Sequence, residues 1–136
     1  MDRRLLVTLL ALFALTGSTM SQEKNNSNNR IFEMRTYYAH QGRMAALDAR
    51  FRDHTCKLFE KHGIQLVGFW KPTGKADEVM VYILAYPSKE AAEKSWKAFR
   101  EDPVWIKAKE DSEKSGPIVK KVESVFLSPT DYSPIK

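Results

Sequence analysis

The run from Asp53 to Trp70, DHTCKLFEKHGIQLVGFW, constrains the fold more than any other part of this chain. An amphipathic helix ends there at Gly63, a residue type that takes the left-handed conformation closing a helix, and the chain turns at once into an apolar strand over Ile64 to Lys71. Around this joint the period of the apolar residues switches repeatedly between two and about 3.6. Ile31 to Tyr38 alternates as a strand, with Phe32, Met34 and Tyr38 on one face and Glu33, Arg35 and Tyr37 on the other. After the Gln41-Gly42 turn, Met44, Leu47, Phe51 and Leu58 recur at helical spacing as far as His62. Pro72, Thr73 and Gly74 mark a turn before Glu78 to Tyr86, the most apolar strand and a candidate for the sheet centre. Pro87 and Ser88 open a second helix with Ala92, Trp96 and Phe99 on one face. Asp102 and Pro103 are the cap and first residue of a third, shorter helix ending near Gly116, and the last strand runs from Ile118 to Leu127.

Strand, helix, strand, strand, helix, helix, strand is the split βαβ order of an α+β, ferredoxin-like βαββαβ domain with one extra helical segment. It predicts a four-stranded antiparallel sheet with helices on one face. The other face must meet water, a ligand or a second protomer. Apolar groups left wet there cost roughly 25 cal/mol per Å², which favours a homodimer through the open sheet face, a dimeric α+β barrel. Glu33, Arg35 and Tyr37 are expected on that open face, near Val67 or Phe69, Val81 and Val125.

The first residues belong to a different class of segment. Arg3 and Arg4 precede an apolar stretch from Leu5 to Leu15, about half of the ~20 residues a membrane span needs. Residues 1–21 therefore read as a signal peptide and 22–30, rich in Asn, as a disordered polar linker, leaving 31–136 as the domain. The expectation is an exported protein, periplasmic or secreted, that meets a membrane only during export. Removing Asp2, Arg3 and Arg4 lowers the net charge of +5 by one, and the remaining lysines are interspersed with glutamates. That pattern describes a solvated surface and excludes nucleic acid as a partner. Cys56 is the only cysteine, so the domain rests on packing without an internal disulfide.

Four stretches, IFEMRTYYAHQGRM, FRDHTCKLFEKHGIQLVGFW, SKEAAEKSWKAFREDPVW and FLSPTDYSP, resemble the NIPSNAP family in order and spacing. The resemblance implies a ferredoxin-like fold in a dimeric α/β barrel, in the wider company of small antibiotic-biosynthesis-type monooxygenases and haem-degrading enzymes. It implies no particular reaction, because the family has no agreed catalytic motif. The secretory signal and the single domain copy set this chain apart from the mitochondrial members.

The candidate site residues follow from position. At about 100° per residue His54 lies within about 20° of Leu47 on the helix wheel, inside the apolar stripe and facing the sheet. It is a candidate catalytic base or haem ligand; the alternative is a core histidine with satisfied nitrogens. His62 does not stand at the i, i+4 spacing of a zinc pair, so no metal site is expected, and at the helix end its cation complements the dipole. Arg35 and Tyr37, in a row with Glu33, are candidates to bind an acidic or carbonyl-bearing ligand, or else pair with Glu123 or Lys121 on the last strand. Trp70 is a candidate pocket wall or interface residue. Cys56 falls on the outer helix face and reads as an inert exposed thiol. PTDYSP, near the C-terminus, is expected to form an extended arm over the neighbouring subunit. Two functions are compatible with these residues. One is a homodimeric domain binding a small apolar or aromatic ligand or a protein partner; the other is a small monooxygenase, cofactor-independent or haem-dependent, using His54. No cofactor is specified by the residues themselves.

Overall fold

The structure, a computed structural model, describes residues 30–136. The expected signal peptide and all of the expected linker except Arg30 fall outside the described residues. Arg30 itself is anchored: Nη1 donates to Gln65 Oε1 at 2.8 Å, and the guanidinium lies 5.5 Å from the Phe32 ring centroid.

Four strands, β1 (Ile31–Ala39), β2 (Gln65–Trp70), β3 (Val79–Tyr86) and β4 (Val119–Leu127), form one antiparallel sheet in the order β2-β3-β1-β4. The apolar β3 is one of the two central strands, pairing with β1 and β2. One face is covered by helix α1, which spans residues 44–61, by α2 (Lys89–Glu101) and by α3 (Pro103–Ser112). This is the α+β, ferredoxin-like fold expected from the element order.

The helix ends are set by local chemistry. Ser88 Oγ accepts from Ala91 N at 3.1 Å to start α2, and Asp102 Oδ1 accepts from Val104 N at 2.8 Å to start α3 behind Pro103. Gly63, at φ +77°, ends α1 with two bonds that satisfy its last carbonyls, Gly63 N to Glu60 O at 3.0 Å and Ile64 N to Phe59 O at 2.9 Å. At that end His62 Nε2 and Lys61 Nζ both lie 2.7 Å from Asp102 Oδ2, tying α1 to the α2–α3 joint.

Helix α1 departs from expectation in its middle. It is α-helical over Met44–Arg50 and Cys56–Lys61, but Phe51–Thr55 form a π-helical turn in which Cys56 N–H bonds to Phe51 O, five residues back. The wider turn takes up one extra residue, so every side chain beyond it shifts one place around the axis. Thr55 occupies the core-facing position expected for His54, and its Oγ1 donates to the Arg50 carbonyl at 3.2 Å. His54 is exposed on the outer side, in a shallow groove with Pro103, Val104, Lys107, Ala108 and Asp111 of α3. Cys56 moves the opposite way and is half-buried against the core.

The faces of β1 are also reversed relative to expectation. Glu33, Arg35 and Tyr37 point toward the helices, opposite Leu84, Tyr82 and Met80 of β3, and all three of those partners are buried. Phe32, Met34, Thr36 and Tyr38 share the open face with Val81, Ile83 and Val125, and Val67 lines it beside Phe32 and Ile83. A bulge in β2 between Leu66 and Gly68 turns Phe69 toward the helices, stacked on Tyr82 at 5.3 Å. Trp70, 52% exposed, falls on the open face beside Val81, and its indole lies over Gly68, where an added Cβ would come within 2.4 Å of the ring. The segment 128–136 turns back at Thr130–Ser133 instead of extending. With Phe32, Val67, Ile83 and Leu127 it walls a cleft of about 350 Å³ on this face of its own sheet.

Candidate functional site

Between the covered sheet face and the helices lies a cavity of about 310 Å³. Its wall combines Tyr37, Val119 and Val122 of the sheet, Arg50, Phe51 and Thr55 of α1, Phe99 of α2, and Trp105 and Lys109 of α3. Phe59, Glu113 and Pro117 complete it. The lining passes from the buried Thr55 and Phe59 to the exposed Lys109 and Val122, so the cavity opens between α3 and the uncovered strand β4.

Five aromatic rings give this space its character. Tyr37 meets Phe51 edge-on with centroids 5.8 Å apart, Phe51 meets Phe59 at 6.2 Å, Phe59 meets Phe99 at 4.8 Å, and Phe99 lies against Trp105 at 4.6 Å. Such pairs add about 0.5–1.5 kcal/mol each beyond area burial, so the wall is a rigid aromatic shell. Both ends of the π-turn, Phe51 and Thr55, contribute to it, which gives that irregular turn a role in shaping the site.

The polar part of the wall is concentrated at one end. Arg50, 4% exposed, donates from Nη1 to Ser112 Oγ at 3.3 Å and to Glu113 Oε1 at 3.1 Å, and its guanidinium lies 5.3 Å from the Trp105 ring centroid. Its Nε is buried and has no hydrogen-bond partner. Lys109 Nζ donates to Glu113 Oε2 at 2.8 Å. Burial pushes the Glu113 carboxyl up, but Lys109 and Arg50 pull it down further, so it stays ionised below the usual carboxylate range. The wall therefore carries two cations and one anion.

Beside the cavity, beneath α2, Glu33 forms the centre of a closed polar knot. Its side chain is almost fully buried; Oε1 accepts from Arg35 Nη1 and Ser124 Oγ, both at 2.6 Å, and Oε2 from Tyr86 Oη at 2.7 Å and Trp96 Nε1 at 2.8 Å. Four donors fill the four lone-pair positions of one carboxylate. Burial pushes this carboxyl up, and the bonds from Ser124, Tyr86, Arg35 and Trp96 together hold it below its ordinary value. The same knot pushes the Tyr86 phenol up, through burial first and then its bond to Glu33, so Tyr86 stays a donor. Arg35 is committed as well: Nε donates to Tyr82 Oη at 3.0 Å, and the guanidinium lies 4.4 Å from the Trp96 ring centroid. Neither Glu33 nor Arg35 pairs with Glu123 or Lys121, which lie across from open-face residues and bond there to each other, Glu123 also to Tyr38.

The sequence-derived candidates are thus dispersed. Tyr37 lines the cavity; Arg35 packs beside it, locked in the Glu33 knot; Trp70 stands on the opposite sheet face; His54 lies outside, against α3. Arg50, Thr55, Trp105, Lys109 and Glu113 were not identified from sequence. Arg50 carried a weak signal, since at about 100° per residue it lies roughly 60° from Leu47, at the margin of the apolar stripe of α1. Among the described residues, no group of three His, Cys, Asp or Glu is placed to hold a metal ion.

Comparison with known proteins agrees with this architecture. No curated protein matches the chain. An uncharacterised NIPSNAP domain protein from Burkholderia xenovorans is 23% identical, with 76% of this chain and 98% of that one covered at a TM-score of 0.66. A NIPSNAP family protein of unknown function from Agrobacterium tumefaciens is 21% identical, with 80% and 96% covered at 0.69. SnoaB, a cofactor-independent oxygenase from Streptomyces nogalater, is 14% identical, with 78% and 98% covered at 0.56. At these identities the three structures speak to the fold. Residues 32–134, most of the chain, match the NIPSNAP family model, and the chain belongs to the NIPSNAP family.

Proposed function

We propose that this protein is an exported, homodimeric NIPSNAP domain that binds a small aromatic molecule in the cavity between sheet and helices. The observation that carries the reading is the aromatic shell of Tyr37, Phe51, Phe59, Phe99 and Trp105 around a space of about 310 Å³ with polar groups gathered at one end. Ligand sites of ~300–1,000 Å³ commonly combine such apolar walls with a few convergent polar groups. The dimer is supported by the open sheet face, where Met34, Val81 and Ile83 are only partly covered and Val125 and Trp70 are exposed. A second copy in two-fold contact buries the same patch twice. The apolar stretch of residues 5–15 after two arginines supports export.

Binding is tested with naphthylmethanol, a neutral bicyclic probe, by calorimetry on the full chain. Saturable binding that is lost on filling the cavity by Val119→Trp, and kept in His54→Ala, is the expected pattern. No binding at millimolar probe, or equal binding by Val119→Trp, defeats the reading.

Oxygenation of the bound ring without a cofactor is a second reading, prompted by the shared fold with SnoaB and by the Glu113 carboxylate on the cavity wall. The version built on His54 has lost its geometry, because that imidazole lies outside the cavity. Haem held by His54 fails on the same ground, because that imidazole lies in the outer groove against α3. Oxygen uptake with an electron-rich naphthol, abolished by Glu113→Gln, would establish the second reading over simple binding.

A further inference from the structure

The proposed cavity has a charge imbalance that names the class of its ligand. Arg50 and Lys109 supply two positive charges to the wall and Glu113 one negative charge, which both cations share. The guanidinium is never deprotonated in a protein, so Arg50 presents a cation at all working pH values. Arg50 is also under-used. Of its five N–H groups, those on Nη1 reach Ser112 and Glu113, at the long distances of 3.3 and 3.1 Å, while the buried Nε has no partner. An arginine almost wholly removed from water with an idle donor is expensive to maintain, and buried polar groups are normally satisfied. The guanidinium carbon stands 5.3 Å from the Trp105 ring centroid, which places the fork at the polar end of the aromatic slot.

On the reading that the cavity binds an aromatic molecule, we infer that its ligand is an aromatic carboxylate, with the ring among Phe51, Phe99 and Trp105 and the carboxylate held by Arg50. The planar fork of arginine matches a carboxylate in two parallel hydrogen bonds. Glu113 is then a competitor for the same cation, and its hold on Arg50 is exchanged for the ligand's. Lys109, at the more exposed end of the wall, adds attraction from the mouth. Arg50 is in this account the residue that discriminates acids from neutral rings.

The test compares naphthoate with naphthylmethanol, two probes of the same ring that differ in charge, titrated calorimetrically into the full-length protein. The wild type is expected to bind naphthoate about tenfold or more tightly than the alcohol, the ratio one charge-assisted hydrogen bond supplies. Arg50→Gln is expected to bring the naphthoate-to-alcohol affinity ratio to about one, whatever change it makes to the binding of the alcohol itself. Glu113→Gln removes the competitor and is expected to raise naphthoate affinity several-fold, and by more than any change in that of the alcohol, a gain that no loss of folding imitates. Equal affinity of the wild type for the two probes, or an unchanged naphthoate affinity in Glu113→Gln, overturns the assignment and leaves the aromatic-site reading standing. Failure of both probes to bind the wild type overturns both.

Discussion

Replacing Glu33 by Gln is the sharpest test of how this domain holds its layers together. The substitution is nearly isosteric, so it leaves no cavity. It changes only the hydrogen-bond inventory. A glutamine can accept with its carbonyl oxygen, but its NH₂ must then face two of the four present donors, Arg35 and Ser124 on one side or Tyr86 and Trp96 on the other. The hydroxyls of Ser124 and Tyr86 can rotate to accept; the Arg35 guanidinium and the Trp96 indole N–H cannot. One donor-only group is left opposed in either orientation. An unsatisfied buried donor costs about 1–3 kcal/mol, and loss of the carboxylate weakens the partly buried pair with Arg35, so a destabilisation of about 3 kcal/mol is expected. With a urea m-value of about 1.5 kcal/mol per M, that lowers the unfolding midpoint by about 2 M at pH 7. The effect has a pH signature. The Glu33 carboxyl is held below its ordinary value in the folded state, so its contribution is fully present above the unfolded value of 4.5 and is lost as pH falls through the folded one. The gap between wild type and Glu33→Gln should therefore narrow from pH 5 downward. Ser124→Ala, which removes one neutral donor, should cost only about 1 kcal/mol. A Glu33→Gln midpoint within about 0.5 M of wild type, or a gap that stays constant as the pH is lowered, would refute the reasoning.

Three further outcomes follow from the geometry. Gly68→Ala places a Cβ within 2.4 Å of the Trp70 indole, so the ring must swing off β2; tryptophan emission should shift in this variant, and Trp70→Ala should suppress both that shift and dimer formation in sedimentation. Asp102→Ala removes the α3 cap and the shared partner of Lys61 and His62, so the melting temperature should fall and the first-turn amides of α3 should exchange faster; unchanged exchange would contradict the capping role. Cys56 should react with iodoacetamide at pH 8 more slowly than free cysteine, because burial and then Glu60 push its thiol up; a faster reaction would mean an environment other than the one described.

Much of the architecture was legible because it rests on local chemistry. Gly63, Ser88 and the Asp102-Pro103 pair mark helix ends through backbone conformation and capping, which a few neighbouring residues decide. The order of strands and helices along the chain followed from the switches of apolar period between turns. What failed was orientation. Alternation along β1 correctly grouped Glu33 with Arg35 and Tyr37, but the set was expected on the open face. The helices cover that set because Trp96 and Ser124, distant in sequence, deliver the donors that make a buried carboxylate tolerable. Period counting along α1 likewise carried one phase through the π-turn and aimed His54 at the sheet, where Thr55 stands.

The sequence by itself thus determined the elements, their order and most of their boundaries, with α3 ending at Ser112 and not near Gly116, since turns, caps and periodicity are properties of short stretches. Only the tertiary structure decided which face of β1 is covered, on which side of α1 the histidine falls, and that Arg50 of α1 meets Trp105 and Glu113 of α3 around an aromatic cavity. Those facts depend on donors, rings and charges brought together from residues up to about ninety positions apart. Their mutual satisfaction is a property of packing that no single stretch of sequence encodes.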